Sequence, residues 1–181
     1  MASELRVDRI IPVNGVASVA TNLRGDAGGG VIQVRQSNTF NQSFANSETP
    51  NTTWIATGIK GYITPTRSDS KIFIIATPNV MMYENNSNQA HGSIKVTRKI
   101  GNGSVQDTNI VSQVGNYDYG GNGIMTYGNY CLTGFDSPNT TEQIEYEFYV
   151  KRIDGEGIRI GYQLSADEGS NSYITMMEIA G

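Results

Sequence analysis

The chain has one cysteine, Cys131, and one histidine, His91. A single thiol excludes an intrachain disulfide and any zinc site built on several cysteines. It points to synthesis in a reducing cytoplasm. One imidazole excludes paired-histidine metal sites and the His-Glu-x-x-His helix of metalloproteases. Charge is sparse as well: Asp, Glu, Lys and Arg make up 17% of the chain, the net charge is −4, and the cations are scattered. Binding nucleic acid through its phosphates needs a basic stripe, so nucleic acid is not an expected partner. There is no apolar run of about 18 residues to form a spanning helix, and no membrane insertion is expected. No apolar stretch of about 7 to 15 residues follows positive charge at the start, so no secretory signal is expected.

What is plentiful is glycine, 21 residues, together with Asn, Ser and Thr, spaced between short runs of β-branched and aromatic residues. That pattern predicts an all-β domain with many turns. No segment carries a sustained helical period. Strands are expected at about 31–36, 53–63, 71–77, 79–83, 92–100, 108–114, 124–133, 143–153, 157–164 and 172–180. In "IEYEFYV" Tyr146, Phe148 and Val150 share one face, opposite Glu145, Glu147, Tyr149 and Lys151. "RIDGEGIRI" reads as a hairpin, with Gly155 and Gly157 supplying positive φ. Trp54 and Phe73 are expected core anchors. The predicted fold is an antiparallel two-sheet β-sandwich, jelly-roll-like, with an extended N-terminal arm. Three segments are expected: a docking arm over 1–25, a glycine-rich linker over 26–30 and the sandwich over 31–181.

The arm is the unusual part. In "LRVDRIIPV" Leu5, Val7, Ile11 and Val13 alternate along one face, with Arg9 interrupting, and Ile10 lies on the other. A lone strand is marginal unless it pairs with something. Glycines 28–30 make a flexible joint behind it.

Chemistry is hard to find. His91 in "NNSNQAHGS" reads as a solvent-facing residue of a loop or strand edge, and Cys131 as a small buried hydrophobe. Glu145 and Glu147 share a face with Lys151 and read as the solvated side of a sheet rather than an acid–base pair. "GNGS" and "GGNG" lack the lysine and following helix of a phosphate loop. No catalytic set emerges, no metal or cofactor is expected, and the chain is not expected to be an enzyme. One stretch suits contact: "GNYDYGGNGIMTYGNY", with Tyr117, Asp118, Tyr119 and Tyr127. Tyrosine offers rigid stacking area with a polar tip, which fits carbohydrate or protein surfaces. The alternative is a long hairpin whose tyrosines pack on their own sheet.

Five segments, "SELRVDRIIPVNGV", "GGGVIQVRQ", "YITPTRSDSKIFIIA", "FDSPNTTEQIEYEFYV" and "YITMMEIAG", span nearly the whole chain in this order. Together they resemble small virion structural proteins of tailed bacteriophages, those of marine cyanobacterial phages in particular, found among tail-fibre and appendage genes. The resemblance implies a non-enzymatic virion protein made in the host cytoplasm. It would dock on other virion proteins through Leu5, Val7, Ile10, Ile11 and Pro12 and assemble as a homotrimer. A head decoration or cement protein, or a carbohydrate-binding module, remains an alternative. The tyrosine-rich stretch lies outside the shared pattern.

Overall fold

The computed structural model describes residues 30–37, 44–46, 53–84, 89–117, 124–161 and 171–181. The docking arm, the linker up to residue 29, Asp118 and Tyr119 lie outside them. Twelve strands are present: β1 Val31–Gln36, β2 Phe44–Asn46, β3 Ile55–Ile63, β4 Lys71–Thr77, β5 Asn79–Glu84, β6 Gln89–Ile100, β7 Val105–Tyr117, β8 Ile124–Asn129, β9 Leu132–Asp136, β10 Ile144–Asp154, β11 Gly157–Ile160 and β12 Tyr173–Ile179. All pairings are antiparallel.

Three four-stranded sheets form, ordered β1-β12-β4-β9, β2-β11-β5-β8 and β3-β10-β6-β7. The first two are halves of one layer, because corresponding strands follow one another in the chain: β1 and β2, β11 and β12, β4 and β5, β8 and β9. Counting each such pair as one strand leaves eight, in layers ordered 1-8-3-6 and 2-7-4-5. That is the jelly roll the turn-rich pattern predicts. The halved layer is termed layer I and the unbroken one layer II.

Layer I is creased where its strands are interrupted. Pro78 has no N–H to continue a ladder. Its carbonyl instead accepts from Tyr130 N at 3.0 Å, and the Asn79 carbonyl accepts from Gly161 N at 2.9 Å. Side chains stitch the rest: Ser172 Oγ accepts from Asn79 N at 3.0 Å and Ser37 Oγ from Ile174 N at 2.9 Å. Polar backbone at the break is thereby satisfied rather than buried unpaired.

The core lies between the layers. Ile59 and Ile63 of β3, Ile94 and Val96 of β6, and Tyr146, Phe148 and Val150 of β10 face Ile72, Ile74, Ile158, Ile160, Ile174 and Met176 of layer I. One polar cluster crosses between the layers: Arg98 Nη1 and the Tyr146 hydroxyl both donate to the Asp136 carboxylate, the latter at 2.7 Å. Burial, and then the neighbouring Asp136 charge, push the Tyr146 hydroxyl well above the ordinary phenol range, so it stays a donor.

Four local expectations are corrected. "DGEG" turns the chain, with φ of +92° at Gly155 alone, yet it is no hairpin: β11 pairs with β2 and β5 rather than β10. The turn carries the chain from layer II to layer I, tied by Glu156 N donating to the Tyr83 carbonyl at 2.9 Å. The expected strand 124–133 is split into β8 and β9 at the crease, which leaves Cys131 exposed. His91 is half-buried within β6, opposite Gly115 and Asp154, rather than in a loop. Trp54 and Phe73 are not in the core; both lie on outer faces.

Candidate functional site

Strand direction divides the sandwich into two ends. At one end lie the connections 64–70, 101–104 and 137–143, the last two joined by Gly101 N donating to the Gln143 carbonyl at 2.9 Å. Gly30 is at this end too, its carbonyl accepting from Ala180 N at 2.9 Å. The described part of the chain therefore begins at this end. At the opposite end β6 and β7 stop at the pair Gln89 and Tyr117, and β5 and β8 at Glu84 and Ile124. β7 is 13 residues long, so about 40 Å of strand separates the two ends.

This places the expected contact residues unequally. Tyr117 ends β7 at the far end, and the segment with Asp118 and Tyr119 begins and finishes there. Tyr127 lies farther along β8, opposite Met81, half-buried on the outer face of layer I. Its hydroxyl donates to Met125 Sδ at 2.8 Å. Tyr127 and Tyr117 thus belong to strands of different layers.

The two outer faces differ in chemistry. On layer II, Lys60 Nζ is 2.9 Å from Glu145 and 3.6 Å from Glu147. The Tyr62 hydroxyl donates to Glu145 at 3.0 Å, and Gly58 N donates to Glu147 at 2.7 Å. The hydrogen bond to Glu145 raises the Lys60 ammonium above its ordinary value. Lys95 Nζ is 2.6 Å from Asp107, and its hydrogen bond holds that carboxyl below its ordinary range. Lys95 and Lys151 also lie over the Trp54 ring, at 4.7 and 5.3 Å from its centroid, which explains an outward tryptophan beside two cations. The two glutamates are thus ion-paired, and Glu147 is buried rather than solvated.

On layer I the half made of β1, β12, β4 and β9 carries an apolar row on its outer face as well as an apolar inner face, while the next outer row, Gln36–Thr175–Ile75–Thr133, is mostly polar. Val34, Met177, Phe73 and Phe135 align in register across all four strands. The Phe73 and Phe135 rings pack with centroids 4.8 Å apart. Val31 and Ile179 pair beside this row, with Lys71 opposite Ile179. The row ends are open: Val34 is 50% exposed and Phe135 60%. The sequence held a signal for this face that the alternation reading passed over. In "KIFIIAT" and "YITMMEI" both alternating sets are largely apolar, the composition of strands covered on two sides.

Glu178 of β12 interrupts the inner set and is fully buried. Its carboxylate accepts from Gln33 Nε2 at 2.6 Å, Thr66 N at 2.8 Å, Thr66 Oγ1 at 2.9 Å and Ser70 Oγ at 2.8 Å. Burial alone would raise this carboxyl, but these donors outweigh it and hold it below its ordinary value. The cluster locks the 64–70 connection to β1 and β12. Among the described residues no three of His, Cys, Asp and Glu come together as a metal site.

No protein-family model and no curated protein matches the chain. Among solved structures it is similar to one of infectious bursal disease virus, Gt strain, at 10% identity and a TM-score of 0.40; the match covers 98% of this chain but 38% of that one. A second is the tripod from the baseplate of bacteriophage Tuc2009, at 10% identity and a TM-score of 0.31, covering 100% and 79% of the two chains. A third is a marine algae virus of the order Picornavirales, at 8% identity and a TM-score of 0.23, covering 99% and 81%. At such low scores the jelly roll rests on the strand order above and not on these likenesses.

Proposed function

We propose that the protein is a non-enzymatic structural component of a bacteriophage virion, of the tail-fibre or related appendage type. Residues 1–25 attach it to another virion protein, and the sandwich projects outward as a homotrimer whose far end meets carbohydrate or protein of the host surface. The observation that supports this best is the polarity of the sandwich. Gly30, where the described chain begins, lies beside Ala180 at one end, while the 117–124 connection joins β7 and β8 at the other. Attachment and presentation are thus separated along the strands. The resemblance to virion proteins of cyanobacterial phages supports the same reading. An alternating apolar strand such as "LRVDRIIPV" gains most by adding to an open sheet edge of a partner.

Gold-labelled antibody against the protein on intact particles tests this. Label on the tail or its fibres is expected; label spread over the head would replace the appendage by a head decoration protein. Deleting residues 2–25 is expected to abolish incorporation while leaving the β circular dichroism intact. A truncated chain that fails to fold would show the arm to be part of the domain. Replacing Tyr117 and Tyr119 by alanine is expected to weaken binding to host cells. Unchanged binding would remove that loop from host contact.

A further inference from the structure

We propose that layer II is built so that neither of its long edges accepts an added strand, the arm of a neighbouring copy included. The inference goes beyond the reading above and holds whether or not the arm docks as proposed there. Among the described residues β3 and β7 are the edge strands of layer II. They are 9 and 13 residues long, against 6, 3, 6 and 5 for β1, β2, β8 and β9 at the edges of layer I. A long open edge is a template for another strand, and brevity is one protection against it. The crease gives layer I that protection; layer II needs another.

Both strands carry the same short motif, Thr57-Gly58-Ile59 and Thr108-Asn109-Ile110. In β3 the register passes from Ala56 opposite Tyr149 to Lys60 opposite Glu147, so residues 57–59 face Phe148 alone. In β7 it passes from Asp107 opposite Thr97 to Ile110 opposite Val96, so Thr108 and Asn109 face no residue. The buried threonine hydroxyl fills each gap. Thr57 Oγ1 donates to the Phe148 carbonyl at 2.9 Å and accepts from Ile59 N at 3.2 Å. Thr108 Oγ1 donates to the Val96 carbonyl at 2.5 Å and accepts from Ile110 N at 3.3 Å. Gly58 and Asn109 stand at φ of +76° and +60°. Each gives its N–H to a carboxylate, Glu147 at 2.7 Å and Asp107 at 3.0 Å. Phe148 and Val96 are direct partners in the middle of the sheet, so the two bulges lie at one level, on opposite edges.

A bulge bends its strand and raises the local twist. A straight incoming strand can therefore keep register with one side of the bend but not with both. Gly115, at φ of +150°, interrupts β7 a second time. The longest straight runs left on the two edges are 59–63 and 110–114, five residues each, as short as the edge strand β9 of layer I. Charge adds to the barrier. Lys60 lies 3.6 Å from Glu147 and Lys95 2.6 Å from Asp107, which puts an ion pair beside each bend. Covering these pairs with an apolar strand costs desolvation. Protection of this kind matters for a chain that carries "LRVDRIIPV" in every copy, because a strand that seeks open edges is otherwise captured by its own kind.

Amide hydrogen exchange on the purified full-length chain, read residue by residue, tests the proposal with a synthetic peptide of residues 5–13 as the probe. Alternate amides of 110–114 are expected to exchange freely and to stay unprotected with the peptide at about 1 mM, where even weak strand addition registers. Deleting Thr108 and Asn109 together keeps inward and outward residues in alternation and straightens β7 from Val105 to Val114. That variant is expected to gain protection from the peptide and to self-associate about tenfold more tightly or better. Protection of those amides in the wild type, by the peptide or by a second copy, would overturn the proposal. So would a folded variant that neither binds the peptide nor associates beyond the wild type. Where circular dichroism shows that this variant does not fold, the matching deletion of Thr57 and Gly58 takes its place. If neither folds, the bulges are demands of the fold itself and the proposal is overturned. None of these outcomes bears on where the protein sits in the particle, so the virion reading stands or falls separately.

Discussion

Glu178 shows how a buried charge is tolerated: five donors from two segments, β1 and the 64–70 connection, converge on one carboxylate. Its folded-state proton affinity lies below that of an ordinary glutamate. Stability from this group is therefore complete above the unfolded-state value, about 4.3, and is lost as pH falls through the depressed folded value. Glu178→Gln is expected to cost about 1–3 kcal/mol near neutral pH, because an amide cannot accept what the carboxylate accepts. The variant should also lose less stability than the wild type between neutral pH and the acid limit. Urea melts at several pH values check both effects; parallel profiles for the two proteins would show that the socket does not hold an ionised carboxylate. This residue was half legible. The alternation in "YITMMEI" put Glu178 on the face of Ile174 and Met176, but its donors come from 33, 66, 67 and 70, which no local pattern connects.

At the scale of elements, alternation tells which residues travel together but not which set turns inward. In β10 the choice was easy because one set is charged, and Tyr146, Phe148 and Val150 are core as expected. In β4 both sets are apolar, so Phe73 reads as core although Ile72, Ile74 and Ala76 hold that place. Phe148→Ala is therefore expected to cost about 3–5 kcal/mol through the cavity it leaves. Phe73→Ala should cost markedly less in the monomer, because among the described residues it packs on the outer face against Phe135 and its strand neighbours. Denaturant midpoints measured below the association range compare the two; equal losses would mean that Phe73 is buried within one chain. The "DGEG" segment teaches a related lesson. Turn chemistry specifies the backbone angle at Gly155, whereas the pairing of β11 is set by β5 and β2, far away in sequence. The crease was equally hidden, since Pro78 interrupts β4 and β5 while "YGNYCLTG" across from it looks like unbroken strand.

For the whole molecule, the fold class was readable because it follows from composition and turn spacing, whereas the division of one layer into two sheets, which makes three in place of the expected two, was not. The interaction surfaces were not, because they depend on which end and which face the strands occupy once paired. The entry point of the chain has a mechanical meaning. Load applied through the first thirty residues reaches Gly30 and then β1, whose only main-chain ladder among the described residues is with β12. β12 runs the opposite way and ends beside Gly30, so a pull away from the layer opens that ladder from Ala180 onward, one rung after another, instead of shearing all rungs together. Beyond the ladder, Gln33 pins β1 to the Thr64 carbonyl and to Glu178, so the opening meets its main obstacle at that rung. Under tension the domain yields first as a zipper along one seam, lengthening its tether by a strand while the rest of the sandwich stays folded.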